Sequence, residues 1–202
     1  MSEPTVLEPL TKFLFRLDKR TRQAVLPHRH SRPVKAIDWL SKIGDQPQMR
    51  MVAGGVVLLG LARRDARMIG AGVRMLAAHE LATAAKDWTK RHVVRTRPRN
   101  PAEDGAHKPH TGHDTRKEKS SFPSGHAAGA TASALAFAQG YPNQAPAAVV
   151  AAGVVALARI PSCKHYPSDV AAGAAIGASS AGLVNMIWRL ATRAIAARRQ
   201  AL

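Results

Sequence analysis

The chain has 202 residues, of which 46% are apolar and only 4% aromatic, and its formal net charge is +17 at pH 7. This length allows one domain with a sizeable core and is short for two, and the single cysteine, Cys163, excludes a disulfide scaffold and a multi-cysteine zinc module. The basic excess predicts an anionic partner, which can be a nucleic acid, an anionic lipid or a phosphorylated substrate.

The first 45 residues form a basic, amphipathic N-terminal segment. Leucine and phenylalanine recur at helical spacing from Leu7 to Leu17, with lysine and arginine between them, which predicts an amphipathic helix. Such a helix can lie on a membrane surface or pack on its own domain, and both interpretations stand. The segment lacks the apolar core of a secretory signal, so we expect no cleaved signal peptide. A short helix is predicted over residues 34–43.

Residues 46–202 are predicted to form a helical domain, and the chain shows no repeat and no strand pattern. Turn signals such as GYPNQAP, residues 140–146, separate its apolar runs. The remaining helices are predicted over residues 51–62, 67–89, 124–139 and 145–158 and from Pro167 onward, the last uncharged from Val170 to Trp188. We therefore expect an all-α bundle of about five to six core helices in one domain.

Residues 91–119 interrupt this pattern with a long loop that is rich in proline, histidine, arginine and lysine. Loops of this length in compact domains are usually functional or disordered, and we expect this one to lie over the active site. His107, His110 and His113, followed by Asp114, have a spacing that resembles metal ligands. A solvated loop that covers the site or touches lipid headgroups is the preferred interpretation.

The sequence carries conflicting indications about a membrane. Val170 to Trp188 has the length of a span, whereas the other apolar stretches are shorter or charged, and the mean hydropathy of −0.17 is low for a multi-span protein. Small residues spaced four apart and tryptophans near helix ends favour a membrane, namely Gly125-Gly129, Gly173-Gly177, Trp88 and Trp188. We expect a multi-pass protein of the cell membrane whose site faces outward; a soluble helical domain is the alternative.

Three short stretches at predicted helix ends carry candidate chemistry, and the first is PSGH. Ser124 is a preferred N-cap residue, so a helix would begin at Gly125 and direct its free N–H groups at an anion such as phosphate. His126, in the first turn, would add a group that titrates near neutral pH. Taken alone, the stretch is more often a capped helix with an incidental histidine.

The second stretch is KRHVVRTRP, and the third is RIPSCKHYPSD. Lys90 and Arg97 offer a compact charge and a planar fork of donors, both suited to phosphate, although a solvated basic run is the commoner meaning. In the third stretch, Asp169 follows His165 by four residues and can accept its N–H, the base-plus-orienter arrangement of nucleophilic catalysis. Asp169 can instead be a first-turn acid that compensates the helix dipole.

Read together and in this order, K-x6-R-P, P-S-G-H and R-x5-H-x3-D resemble the three signature motifs of the type 2 phosphatidic acid phosphatase superfamily. The motifs span residues 90–169, and the flanking apolar helices fit the family's helical bundle. The family's third motif usually starts Ser-Arg, where this chain has Ala158-Arg159, which removes a hydroxyl but no charge. The first 45 residues show no such resemblance.

The resemblance implies a metal-independent phosphohydrolase without a cofactor, which removes a terminal phosphate from a lipid phosphate or lipid pyrophosphate. By this analogy His165 attacks phosphorus and forms a phosphohistidine, and Asp169 orients His165. His126 protonates the leaving oxygen and then activates water. The phosphate oxygens would be held by Lys90, Arg97, Ser124, Gly125 and Arg159.

Two alternative functions follow from the same residues. Vanadate-dependent haloperoxidases have a similar site, and the net charge alone allows a non-enzymatic basic protein that binds membranes or nucleic acid. The scarcity of aromatic residues in the basic segments argues against nucleic acid. The expected partners are therefore a phosphorylated lipid and membrane lipids, and a homo-oligomer is compatible with the sequence. Phosphatidic acid, phosphatidylglycerol phosphate, an isoprenoid pyrophosphate and a phosphorylated glycolipid present the same terminal group, so all four are candidate substrates.

Overall fold

Seven α-helices account for most of the computed structural model, which describes residues 7–100, 108–114 and 116–200. The all-α prediction is confirmed. In chain order the helices are α1 (Leu7–Val25), α2 (Arg32–Leu40), α3 (Gln46–Ala62), α4 (Ala66–His92), α5 (Gly125–Gly140), α6 (Ala145–Leu157) and α7 (Pro167–Gln200).

Helix boundaries follow capping residues more closely than they follow hydropathy. Helix α3 begins five residues before the predicted apolar stretch because Pro47 occupies its first turn and Asp45 precedes it. Asp65 caps α4, where its carboxylate accepts the N–H of Arg67 at 2.9 Å. Ser124 caps α5 as predicted, with its hydroxyl 3.4 Å from the N–H of Ala127. The predicted helix over residues 34–43 is α2 followed by a 3-10 turn, Ser41–Gly44.

The core of the bundle consists mainly of alanine, while many of the large apolar side chains lie outside. Helix α5 packs against α4, α6 and α7, and Ala78, Ala82, Ala128 and Ala132 are fully buried between them. Large apolar residues with exposed side chains include Leu58, Leu61, Val150, Val154, Ile187 and Leu190. An outer surface of this kind is typical of contact with a membrane or with another protein. Among the described helices, α7 has the length and apolar composition needed to cross a membrane.

Glycines set the close approach of α7 to α5. A Cβ atom at Gly173 would overlap the main-chain oxygen of Ser124, and one at Gly177 would overlap that of Ala128. Gly129 of α5 in turn lies against the imidazole of His79 in α4. The small-residue spacing Gly173-Gly177 therefore marks a tight helix contact, as expected.

The long loop contains a short strand pair that the sequence did not predict. Val93–Val94 (β1) pairs antiparallel with His110–Thr111 (β2), and the N–H of Arg95 then donates to the oxygen of Lys119 at 2.9 Å. Two-residue strands carry no detectable alternation, so pattern analysis misses them.

The loop histidines do not assemble as a recognisable metal site in the described residues. His107 lies outside those residues, as do residues 101–107 as a whole and residue 115. His110 is on strand β2, and Asp114 pairs with Arg116 at 2.6 Å. Within the described ranges, no group of three or more histidine, cysteine, aspartate or glutamate side chains could hold a metal ion.

Helix α1 packs on the rest of the chain through a polar contact rather than through its apolar face. Asp18 is 2% exposed and accepts the N–H and the hydroxyl of Ser168 at the start of α7. Leu10 and Phe13 on the same helix remain 53% and 62% exposed. The helix is thus attached to its own chain and still presents apolar side chains outward. Packing on its own domain and lying on a membrane surface, the two interpretations of the sequence, are therefore both compatible with it.

Candidate active site

The three candidate stretches meet at one end of the bundle, around a cavity of about 540 Å³. Helices α3 and α5 begin at this cavity, α4 ends near it, and the stretch between α6 and α7 completes the wall. Six of the predicted site residues line it: Lys90, Arg97, Gly125, His126, Arg159 and His165. Ser124 and Asp169, which the sequence also predicted, are fully buried next to it.

The imidazole of His165 has a defined tautomer. Its Nδ1 atom lies 2.7 Å from the main-chain oxygen of Ser121, and because a carbonyl oxygen can only accept, Nδ1 carries the proton. In the neutral ring the lone pair is then on Nε2, the atom that a nucleophile needs. Burial lowers the pKa of His165 to about 4, although the charge of Asp169 opposes this, so the ring is neutral at neutral pH.

Asp169 does not hold the histidine N–H as the sequence interpretation assumed. Its Oδ2 atom is 3.8 Å from Nδ1 of His165, beyond hydrogen-bond distance, because its oxygens already have other donors. Oδ2 accepts the hydroxyl of Ser121 at 2.5 Å and the N–H of Tyr166 at 2.8 Å. Oδ1 accepts Nη1 of Arg95 at 2.5 Å. Asp169 therefore provides a nearby negative charge, while the Ser121 carbonyl orients the ring.

Arg95 connects this carboxylate to the N-terminal helix. Its side chain is 1% exposed, with Nη1 on Asp169 and Nη2 on Asp18 at 2.6 Å. The guanidinium also lies over the ring of Tyr166, 4.1 Å from its centroid. Arg95 is part of KRHVVRTRP, but nothing in that basic run distinguishes it from its neighbours, and sequence analysis missed its role.

Lys90 and Arg97 are anchored by the end of the long loop. Nζ of Lys90 donates to the main-chain oxygen and the hydroxyl of Ser120, at 2.7 and 3.2 Å. Nε of Arg97 donates to the oxygen of Lys117 at 2.8 Å. Burial lowers the pKa of Arg97 to about 10, and the charges of Arg99 and Arg159 add to this effect. The cations are crowded together, and a bound anion would relieve their repulsion.

Arg159 is held by the N-terminal segment. Its Nη1 atom donates to Asp38 at 3.1 Å and to Ser41 at 2.8 Å, and Lys164 donates to the other oxygen of Asp38 at 2.8 Å. Within the described part of the chain, Nε of Arg159 is buried without a hydrogen-bond partner. Burial lowers the pKa of Arg159, which nevertheless remains charged at neutral pH.

The cavity wall also contains residues that sequence analysis missed. Lys86 is 7% exposed and precedes Lys90 by four positions, so helical spacing alone could have placed both on one face of α4. Lys117 lines the cavity from the long loop, and Gly44, Asp45, Gln46 and Gln48 line it from the start of α3. Oδ1 of Asp45 lies 3.1 Å from Nε2 of His126. No motif in the first 45 residues pointed to this contact.

Comparisons with known proteins agree with the motifs. The family model of the PAP2 superfamily matches residues 71–193. Decaprenylphosphoryl-5-phosphoribose phosphatase of Mycobacterium tuberculosis, from strains CDC 1551 and H37Rv, is 38% identical over 133 residues, which are 66% of this chain and 67% of that protein.

The fold is similar to that of a solved structure. The crystal structure of Aquifex aeolicus LpxE superposes with a TM-score of 0.58 and 19% identity, over 82% of this chain and 92% of that one. The crystal structure of the first transmembrane PAP2 type phosphatidylglycerolphosphate phosphatase from Bacillus subtilis superposes with a TM-score of 0.40 and 24% identity, over 91% of this chain and 97% of that one.

Proposed function

Because the chain belongs to the PAP2 superfamily, we propose that it is a lipid phosphatase that removes a terminal phosphate through a phosphohistidine and without a metal ion. The observation that carries the proposal is the state of His165. Its Nδ1 atom is held by the Ser121 carbonyl, which leaves the lone pair of the neutral ring on Nε2, and the ring lines one cavity with the basic side chains of Lys90 and Arg97. A phosphoryl group held by these cations would lie next to a nucleophile that needs no prior deprotonation.

The first step transfers the phosphoryl group to the enzyme. Nε2 of His165 forms a bond to phosphorus while the bond from phosphorus to the leaving oxygen breaks, and His126 gives its proton to that oxygen. Burial lowers the pKa of His126 to about 3, so this role requires the negative charge of the bound phosphate to raise the pKa again. The phosphohistidine ring is positively charged, since Nδ1 keeps its proton on the Ser121 carbonyl. Asp169, at 3.8 Å from Nδ1, stabilises this charge.

The second step releases phosphate. Neutral His126 removes a proton from a water molecule as the water oxygen attacks phosphorus, and the bond from phosphorus to Nε2 breaks. His165 returns to its neutral form, and His126 is again protonated for the next leaving group. Each histidine thus has one role in each half of the cycle, and protons balance without an external acid or base.

Neutralisation of the phosphate charge is assigned to side chains and a helix start. In many phosphoryl-transfer enzymes Mg²⁺ provides this charge; here Lys90, Arg97 and Arg159 would provide it. The N–H groups at the start of α5, where Ser124 is the cap and Gly125 presents no side chain, would bind the remaining oxygens. The donors are fixed before the substrate arrives, which is the condition for effective electrostatic stabilisation.

The substrate is proposed to be a phosphorylated lipid that the enzyme meets in the membrane. The relative at 38% identity is a decaprenylphosphoryl-5-phosphoribose phosphatase, so a phosphorylated sugar on a polyprenyl lipid is the first candidate. The exposed apolar side chains of α3, α6 and α7 support a membrane-embedded bundle. We further propose a multi-pass arrangement in the cell membrane, with residues 46–202 as the phosphatase domain and the cavity facing outward.

A panel of phosphate-release assays tests this function. Purified protein in detergent with EDTA is given decaprenylphosphoryl-5-phosphoribose, phosphatidic acid, phosphatidylglycerol phosphate and an isoprenoid pyrophosphate. We expect release from at least one of them, undiminished by EDTA and abolished in His165→Ala. The exposed His28 provides a matched control, His28→Ala, which should retain activity. Turnover by His165→Ala would refute the assignment of His165 as the nucleophile. Loss of turnover in EDTA would refute the metal-free mechanism.

A further inference from the structure

We propose that Asp45 is a positioning residue for His126: it holds the Nε2 side of the ring and leaves Nδ1 to exchange protons with the substrate. This inference rests on the proposed function, since it assigns a partner to the acid–base histidine of that mechanism. It also gives the N-terminal segment, which carries none of the three motifs, a part in the chemistry.

The contact itself is short. Nε2 of His126 is shielded from solvent, and Oδ1 of Asp45 lies 3.1 Å away. The contact does not meet the geometry of a hydrogen bond, and within the described residues Nε2 is buried without a hydrogen-bond partner. Catalytic hydrogen bonds are often poorly aligned before substrate binds and tighten in the complex. A small rotation of the ring or the carboxylate would complete this one.

The sequence around Asp45 brings its carboxylate to this position. A Cβ atom at Gly44 would lie 3.1 Å from Cδ2 of His126 and would collide with the side chain of Val155, so only glycine lets the chain pass this close. Asp45 occupies the N-cap position of α3, yet its side chain accepts no N–H from that helix. Asp65, in the same position of α4, accepts two. The Asp45 carboxylate therefore does not cap α3.

Charge favours the same assignment. The groups that face His126 are Asp45 before α3, Asp38 of α2, and Arg159, Lys164 and His165 from the stretch between α6 and α7; Lys86 of α4 lies against the neighbouring Gly125. Burial, and then the cations, disfavour a protonated ring and lower the pKa of His126 to about 3. The charge of Asp38 favours the protonated form, but its oxygens bridge Arg159 and Lys164, so Asp45 is the carboxylate that lies against Nε2 of the ring.

The two histidines would then be oriented in opposite senses. His165 is held at Nδ1 and presents Nε2 to phosphorus, whereas His126 would be held at Nε2 and present Nδ1 to the leaving oxygen. In the first step the proton on Nδ1 of His126 passes to that oxygen, and the ring keeps its Nε2 proton towards Asp45. In the second step Nδ1 accepts a proton from water, and the cycle closes with no net change in either group.

The test is Asp45→Asn, which keeps the shape and removes the charge. For a substrate with an alkyl leaving group we expect kcat to fall about ten-fold, a modest share of what general acid catalysis contributes, and the alkaline limb of the kcat profile to move to lower pH. With an aryl phosphate, whose leaving group needs no proton, the rate of the first step should fall less in Asp45→Asn. Asp45→Glu should recover part of the activity. Asp65→Asn is the matched control and should leave the pH profile unchanged.

Two further measurements separate this inference from the proposed function. In a His126→Ala background, Asp45→Asn should cause no additional loss, because the carboxylate acts through that ring. The titration midpoint of the His126 imidazole, followed by NMR, should be lower in Asp45→Asn than in the wild type, whether or not a substrate is turned over. An unchanged midpoint and pH profile, or an equal loss in both backgrounds, would overturn the inference. Absence of phosphate release by the wild type would instead refute the proposed function.

Discussion

The main-chain oxygen of Ser121 lies 2.7 Å from Nδ1 of His165, and the hydroxyl of the same serine donates to Asp169 at 2.5 Å. One residue therefore fixes the ring that would attack phosphorus and also positions the carboxylate that would stabilise its charged form. Ser121 itself is fully buried, and its N–H donates to the oxygen of Arg95 at 3.0 Å. The main chain and the side chain of Ser121 therefore both form hydrogen bonds within the site.

A covalent intermediate on His165 is the first prediction. Rapid quenching of the enzyme after it is mixed with a labelled lipid phosphate should trap a phosphoryl group that is stable in alkali and lost in acid, as a phosphoramidate bond is. His126→Ala, given an aryl phosphate whose leaving group needs no proton, should accumulate this species, because water then lacks its general base.

The label should be absent from His165→Ala and should map to the peptide that contains His165. His28→Ala is expected to behave as the wild type does. A labelled carboxyl group, or steady turnover by His126→Ala without accumulation, would contradict the two-step mechanism.

The acid limb of the pH profile is the second prediction. His165 must be neutral to attack, and burial lowers its pKa to about 4. The neutral form is thus present above pH 4, and kcat/KM, corrected for ionisation of the substrate phosphate, should fall only as the pH drops through about 4. An ordinary histidine would lose activity near about pH 6.5.

The charge of Asp169 works against this depression of the pKa of His165. Asp169→Asn should therefore move the acid limb to still lower pH while it reduces kcat, because the charged phosphohistidine loses its counter-charge. A limb at pH 6 to 7 in the wild type would show that His165 is less shielded from water than the structure indicates.

Local signals in the sequence were sufficient for the helices and for the residues of the three motifs. Ser124 starts α5 and Pro167 starts α7 because caps and proline act within one turn. The helical period places Lys86 beside Lys90, and this could have been found as well. These features depend on residues that are close together in the chain, and they can therefore be predicted from the sequence.

Contacts that join distant parts of the chain were not predictable. The acceptor for His165 is a main-chain carbonyl oxygen, which every residue possesses. The residue type at position 121 therefore gave no indication that it would bind His165. All three aspartates of the first 45 residues reach the site: Asp18 binds Arg95, Asp38 binds Arg159, and Asp45 approaches His126. Each pairing depends on how α1 to α3 pack on the bundle. The amino-acid composition of these helices does not show which of their residues will lie opposite which residues of the bundle.

The buried pair of Asp18 and Arg95 gives the third prediction. Asp18→Asn would remove one of the carboxylates that pair with a 1% exposed guanidinium. Removal of one partner from a buried ion pair costs about 3–5 kcal/mol, and we expect a loss of at least about 3 kcal/mol here because the amide keeps only one of the two acceptor oxygens that Arg95 and Ser168 share.

Thermal denaturation in detergent, followed by circular dichroism, measures this loss. Glu8→Gln on the same helix is the matched control, since Glu8 forms an exposed pair with Lys12 at 2.6 Å; it should change stability by less than about 1 kcal/mol. Equal melting temperatures for Asp18→Asn and the wild type would mean that α1 does not contribute to the folded core.

The contact of α7 with the start of α5 gives the fourth prediction. In Gly173→Ala the new methyl group would overlap the main-chain oxygen of Ser124, so α7 must move away from the residues that begin the proposed phosphate cradle. Overpacking of this kind costs about 1–3 kcal/mol, and KM should rise together with the loss of stability. Gly182→Ala in the same helix is the control, because a Cβ there meets nothing within 4 Å and should be neutral or slightly stabilising. If both variants show the same KM and melting temperature, the close approach of α7 to Ser124 does not shape the cavity.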